Sequence, residues 1–223
     1  MRSIQSVVFD LDGTLIDSHR DIARALNEVL EALGHPAHDP EKVKTMIGGG
    51  VDTLLRRALG EDDRALLDSA RARFRGSYEA HLFDTTTLYA GVFEAIEALR
   101  NEGLTLAVAT NKPSFFTRPI LERLSLDRAG IRAFASADET KKKKPDPSVV
   151  KLALERAGAS TAPERALYVG DMPVDVETGR AFGCRVIGVG WGFDPQGLRA
   201  AHPDAWVDAA SAWRSEILGL DAG

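Results

Sequence analysis

The sequence predicts an α/β fold: a parallel sheet covered by helices on both faces, interrupted after its first strand by an all-helical block. Three observations carry this. The apolar run Ser6-Val7-Val8-Phe9 reads as a strand that leads straight into acidic residues. Residues 17–85 then place their apolar residues at helical intervals. After Gly91, apolar strands and helical segments alternate, the pattern of a parallel sheet.

Each element has its own justification. From Asp17 the residues Ile22, Ala25, Leu26, Val29, Leu30 and Leu33 recur at helical spacing, with Asp17 or Ser18 as N-cap, Gly34 as terminator and Pro36 beyond. Val51, Leu54, Leu55, Ala58 and Leu59 mark a second helix, stopped by Gly60. A third covers residues 63–78. Residues 92–100 are helical and 104–109 form an apolar strand. Helix 114–124 precedes a short strand at 133–137. Helix 147–157 starts on Pro147, which suits a first turn. Strand 166–169, helix 173–182 and strand 185–189 complete the alternation. The first strand finds partners only after residue 90, so residues 1–16 and 86–223 form one core and residues 17–85 are an insertion.

Composition bounds the function. A chain of 223 residues, 44% hydrophobic and 27% charged, fits a soluble globular protein of one large domain, or of one domain with an insertion. A net charge of −5 gives no footprint for nucleic acid or an anionic membrane surface. Val7-Val8-Phe9 is cut short by Asp10, so neither a signal peptide nor a transmembrane helix is expected. Cys184 is the single cysteine, so an internal disulfide is excluded; it reads as a small buried residue compatible with a reducing cytoplasm. No coiled-coil seam is legible, and monomer and homodimer stay open.

Four constellations fall at predicted strand ends, where open α/β sheets place their ligands. The first is Asp10-Leu11-Asp12-Gly13-Thr14. If extended geometry continues, Asp10 and Asp12 share a face roughly 6.6 Å apart, at about 3.3 Å per residue. Two carboxylates so close call for a cation, or for one of them to hold a proton. Asp10 then attacks phosphorus as a nucleophile, while Asp12 protonates the leaving oxygen and later deprotonates water. The plainer alternative is an Asp-Gly turn with an exposed acid. The second constellation is Gly170-Asp171-x-x-x-Asp175, whose carboxylates suit a hard divalent cation such as magnesium, unless they only mark a helix start.

The third is Thr110-Asn111-Lys112. A hydroxyl with exposed backbone N–H groups there would hold phosphoryl oxygens, which makes Thr110 and Asn111 substrate-binding candidates; a polar loop capping the next helix is the alternative. The fourth is Lys144-Pro145-x-Pro147. Lys141 and Lys142 read as solvated, whereas the prolines restrict the backbone at Lys144, whose ammonium would neutralise charge between Asp10 and a phosphoryl group. Lys143 is the second choice. Gly48-Gly49-Gly50 lacks the Lys-Ser/Thr of a nucleotide-binding loop, and the histidines show no metal-ligand spacing.

In this order and placement the four motifs resemble those of the haloacid dehalogenase superfamily. The resemblance covers essentially the whole chain, and implies a Rossmann-like core with a helical cap inserted after the first strand. It further implies Asp10 as nucleophile, Asp12 as acid/base, and Thr110 and Lys144 as phosphate-binding residues. Magnesium would be held by Asp171 and Asp175 together with Asp10 and the backbone carbonyl of Asp12. Within the superfamily the chain looks most like the phosphoglycolate phosphatases. That likeness rests on residues 47–51, Arg56-Arg57-Ala58-Leu59, Thr110-Asn111-Lys112-Pro113, residues 186–189 and Trp191-Gly192-Phe193. Met172-Pro173 and Leu88-Tyr89-Ala90-Gly91 depart from the usual pattern there.

Asp12 separates phosphoryl transfer from dehalogenation, because a halide leaves without a proton and an alkoxide does not. The expectation is a magnesium-dependent phosphatase acting on a small phosphate ester through an aspartyl-phosphate, with 2-phosphoglycolate first. Pyrophosphate, sugar phosphates, nucleotides, a phosphomutase and a phosphonate-cleaving enzyme are alternatives; a phospho-acceptor signalling domain is a remote one. The loop at Gly48 to Gly50 and Arg56 or Arg57 are candidates to meet a substrate carboxylate, although an exposed helix face explains the arginines as well.

Overall fold

Strand β1 (Ser6–Phe9) is apolar beyond its first residue because it sits at the centre of the sheet with both faces covered. The computed structural model describes residues 3–60 and 62–221, so residues 1–2 and 222–223 of the expected core and residue 61 of the expected insertion lie outside the described residues. After β1 come β2 (Ile16–Asp17) and the helices α1 (His19–Ala32), α2 (Pro40–Lys44), α3 (Val51–Leu59) and α4 (Arg64–Ala80). The chain returns through β3 (Thr87–Leu88), α5 (Val92–Asn101), β4 (Thr105–Thr110), α6 (Ser114–Arg123) and α7 (Leu126–Ala129). Then follow β5 (Ile131–Ser136), α8 (Ala137–Thr140), α9 (Ser148–Arg156), β6 (Ala166–Gly170) and α10 (Pro173–Phe182). β7 (Arg185–Val189), α11 (Pro195–Ala200), β8 (Ala205–Val207) and α12 (Trp213–Asp221) end the described chain.

The main sheet has the order β5-β4-β1-β6-β7-β8, and every pairing in it is parallel. Alternate β1 residues serve different faces. Val7 and Phe9 join the core with Ile96 and Leu99 of α5 and Trp213 of α12. Val8 packs with Ala107, Tyr168 and the α9 residues Val150 and Leu154 on the other. Each such aliphatic side chain, fully buried, contributes about 1.5–3 kcal/mol. This is the α/β fold that the alternation predicts.

Between β2 and β3 the described chain is helical, with α1 packed on α2 and α4, and α3 on α4. Ile22, Ala25, Leu26, Val29 and Leu30 form the buried face of α1, as their spacing requires. Asp63 caps α4 by accepting from the Leu66 N–H at 2.8 Å, and Gly60 ends α3 at φ +69°. Ser18 precedes α1 without a side-chain cap, because its hydroxyl donates to Asp12 at 2.5 Å instead.

Three details differ from the expectations. Residue 17 belongs to a strand: Ile16 pairs with Leu88 and Asp17 with Thr87 in an antiparallel two-strand ladder, which ties the exit of the helical block to its entry. β5 begins at Ile131, where it meets Leu106 of β4 across a bulge. β8 extends the sheet beyond β7, a strand too short to show a period.

Candidate active site

Parallel pairing brings the C-terminal ends of β1, β4 and β6 side by side, and with them Asp10, Thr110 and Asp171. The Asp10 N–H continues the ladder by donating to the Val169 carbonyl at 2.9 Å. Extended geometry stops there. The Leu11 carbonyl accepts from Leu15 at 2.9 Å and Ile16 at 3.1 Å, and Gly13 turns the chain at φ +87°. Only glycine fits, since a Cβ would lie 2.1 Å from the Asp171 carboxylate. Leu11 is buried, and the turn carries Asp12 back to the cavity that Asp10 also lines.

Carboxylate oxygens of Asp10, Asp171 and Asp175 lie within 4.8 Å of one another, all buried. The Lys144 ammonium sits among them, 2.8 Å from Asp10 and 2.8 Å from Asp175. Lys143 lies elsewhere, donating to the Gly49 carbonyl and the Thr53 hydroxyl. Tyr168 steadies Lys144: its hydroxyl accepts from the ammonium at 3.3 Å and donates to the Ala109 carbonyl at 3.0 Å. Asp175 is firmly placed as well, accepting from the Asp171 and Met172 N–H groups at 3.1 and 3.0 Å. Asp171 accepts from the Thr14 hydroxyl at 3.0 Å and the Phe193 N–H at 2.7 Å.

Burial pushes the Asp10 carboxyl up to about 7; Lys144 pulls it down and Asp175 pushes it further up. Burial, then the Asp175 and Asp10 charges, hold Asp171 well above the ordinary carboxylate range. Burial works against the Lys144 charge, yet Asp10 and Asp175 outweigh it and hold the ammonium well above its usual value. One ammonium thus pairs with two of three crowded carboxylates and leaves a donor set of hard oxygens short of positive charge, which fits a divalent cation.

Asp12 stands apart from this cluster. Its carboxylate accepts from Ser18 at 2.5 Å and from the Lys112 ammonium at 3.0 and 3.2 Å. Thr110 is buried, and its hydroxyl accepts from the Lys112 N–H at 3.1 Å. Asn111 lines the cavity, and its side chain also braces the protein, donating to the Gly48 carbonyl and accepting from the Lys144 N–H, both at 2.8 Å. It thereby holds the glycine loop and the Lys144 backbone in register.

Asp10, Asp12, Thr110, Asn111 and Lys112 line a cavity of about 50 Å³ walled by Ile22, Ile47, Leu54, Phe74 and Phe116. Neither arginine of α3 lines it: Arg57 donates to the Met46 carbonyl and Arg56 pairs with Asp62. A wider cleft of about 480 Å³ adjoins it through shared residues such as Gly50 and Phe116, with Arg71, Arg75 and Lys141 to Lys143 along its walls.

Two residues of the site escape sequence reasoning. Lys112 is buried against Asp12, a hundred positions away in the chain, and its only sequence signal is its place beside Thr110. Tyr78 accepts from the Lys112 ammonium at 2.7 Å, although its place in the apolar stripe of α4 marks it as ordinary core. Cys184 is buried, as expected, and burial pushes its thiol up to about 12. Among the described residues no helix is long and apolar enough to cross a membrane.

Comparison with known proteins adds relatives to this geometry. The family model for haloacid dehalogenase-like hydrolases matches residues 7–189. A phosphoglycolate phosphatase of Pseudomonas putida is 36% identical over 210 residues, covering 91% of this chain and 75% of its own. One from Nitrosospira multiformis is 39% identical over 86% of this chain and 85% of its own. Among solved structures, one described as a predicted phosphoglycolate phosphatase from Haemophilus somnus superposes with a TM-score of 0.89. It is 28% identical and covers 97% of this chain and 99% of its own.

Proposed function

Because this chain belongs to the haloacid dehalogenase-like hydrolases, we propose that it is a magnesium-dependent phosphatase that hydrolyses 2-phosphoglycolate through an aspartyl-phosphate on Asp10. The observation that carries the reading is the Lys144 bridge between Asp10 and Asp175, with Asp10 lining the same cavity as Asp12. Asp10, Asp171, Asp175 and the Asp12 backbone carbonyl would hold the magnesium, which when bound supplies positive charge to the phosphoryl oxygens.

The protein's own residues divide the remaining work. Asp10 attacks phosphorus and displaces the alcohol. Lys144 balances the charge of Asp10 and of the incoming phosphoryl group, and Tyr168 and Asp175 fix its position. The Thr110 hydroxyl meets a phosphoryl oxygen. Asp12, held by Ser18 and Lys112, gives a proton to the leaving oxygen, then takes one from the water that hydrolyses the acyl-phosphate. Residues 17–85 act as the cap that closes over this site, with the β2–β3 ladder as its hinge. The substrate rests on the names of the relatives.

The test is a panel of phosphate esters assayed with and without magnesium, with Asp10→Asn as control. The reading requires 2-phosphoglycolate among the best substrates by kcat/KM, and no magnesium-dependent turnover by Asp10→Asn.

A further inference from the structure

We propose that Lys112 and Tyr78 together form a receptor for a carboxylate carried by the alcohol that leaves, and so select phosphorylated hydroxy acids over neutral phosphate esters. The proposal rests on the phosphatase reading above and assigns the recognition of its substrate. The mechanism of that reading uses Lys112 only to hold Asp12, and gives Tyr78 no part.

Position is the first argument. Asp12 must touch the leaving oxygen, and Lys112 Nζ lies 3.0 Å from the Asp12 carboxylate. In a phosphorylated 2-hydroxy acid the carboxylate hangs on the carbon that bears that oxygen. A substrate placed for Asp12 therefore carries its tail to Lys112. Among the described residues Lys112 is the one cation lining the inner cavity, whose walls are otherwise largely apolar, and the α3 arginines point elsewhere.

Donor accounting is the second. Tyr78 is 1% exposed and lines the cavity, and its hydroxyl accepts from Lys112 at 2.7 Å. That leaves its own proton to donate, and among the described residues it has no acceptor. The phenol O–H therefore keeps a donor to offer to a ligand in the cavity. Lys112 reaches both oxygens of Asp12, at 3.0 and 3.2 Å, so a grip on one oxygen would free one of its N–H donors. An ammonium and a phenol O–H on one wall suit a carboxylate. Tyr78 stands on α4, so the receptor spans the helical block and the sheet, and is complete only when the two are apposed as they are here.

The test uses 2-phosphoglycolate and its amide, which differ in the charge of the tail. Wild type, Tyr78→Phe and Lys112→Gln are compared by kcat and KM on both esters. Tyr78→Phe keeps the ring packed between Phe74 and Phe116, and thermal unfolding verifies its fold. The wild type is expected to favour the carboxylate. Tyr78→Phe should reduce that preference about 10- to 100-fold, chiefly through KM, as for a lost hydrogen bond to a charged group. Lys112→Gln should reduce the preference similarly, and should also lower kcat on both esters because it touches Asp12. A wild type that treats acid and amide alike, or a Tyr78→Phe variant that slows both equally or neither, overturns the receptor and leaves the phosphatase standing. If the wild type hydrolyses no phosphate ester, the phosphatase reading fails and the receptor with it.

Discussion

Replacing Lys144 with methionine removes the one ammonium from a cluster of buried carboxylates while keeping most of the side-chain volume. In the native arrangement Nζ bridges Asp10 and Asp175 at 2.8 Å each, with the Lys144 side chain 1% exposed and the two acids 8% and 0%. Breaking a buried pair from one side leaves an uncompensated charge, at a cost of about 3–5 kcal/mol. For a chain of this length that corresponds to a fall in Tm of roughly 6–20 °C. The sign of the pH dependence follows from Asp10. Its carboxyl is already up at about 7 in the folded protein, so the folded state binds the proton more tightly than the unfolded chain. Stability from that group is full at low pH and is lost as pH rises from about 4 towards 7. Without Lys144 the carboxyl rises further, so the deficit of the variant should be larger near about pH 8 than near about pH 5. Thermal unfolding of metal-free wild type and variant at both pH values measures this, and kcat on any substrate should fall by about two to three orders of magnitude. A variant as stable as wild type near neutral pH, with no pH dependence in the difference, would refute the reasoning.

The other predictions use the same cluster and its supports. Magnesium should raise Tm more near about pH 8 than near about pH 5, because Asp10 and Asp171 are both held above the ordinary range and bind the cation as carboxylates. A hundredfold excess over Kd is worth about 2.7 kcal/mol, which calorimetry resolves; an equal gain at both pH values would contradict the assignment. Gly13→Ala should abolish magnesium stabilisation, since its Cβ would meet the Asp171 carboxylate at 2.1 Å in a φ +87° turn; retained binding would show that the turn yields. Asn111→Ala should cost about 1–3 kcal/mol by leaving the Gly48 carbonyl and the Lys144 N–H unsatisfied. It should also raise KM, and an unchanged melting curve and KM would remove its positioning role.

Much of this was legible because the chemistry sits where local pattern is strongest. The strands are legible as apolar runs that lead into Asp10, Thr110 and Gly170-Asp171, and parallel pairing sets those three ends side by side. What could not be read depends on contacts distant in sequence. The β2–β3 ladder has two residues per strand, too few for a period, and exists only because the helical block returns to its starting point. The need for glycine at position 13 is of this kind, since the space there is taken by the Asp171 carboxylate, 158 residues on in the chain. Lys112 and Tyr78 meet Asp12 across the junction of α4 and β4, and nothing in the spacing of either segment announces it. Asn111 lines the cavity as a substrate contact would, but its bonds to Gly48 and Lys144 are not announced by any spacing.

The claim on which the rest depends is that Asp10 carries the phosphoryl group. Rapid acid quenching of a single turnover with 2-phosphoglycolate and magnesium, followed by peptide mapping, tests it directly. Wild type on the millisecond scale is the enzyme to use, because Asp12 serves both steps and its loss would slow formation of the acyl-phosphate as well as its hydrolysis. The account predicts a phosphorylated peptide that contains Asp10, appearing before free phosphate and absent from Asp10→Asn. Release of phosphate with no modified Asp10 at any time point, or a phosphoryl group on another residue, would contradict it.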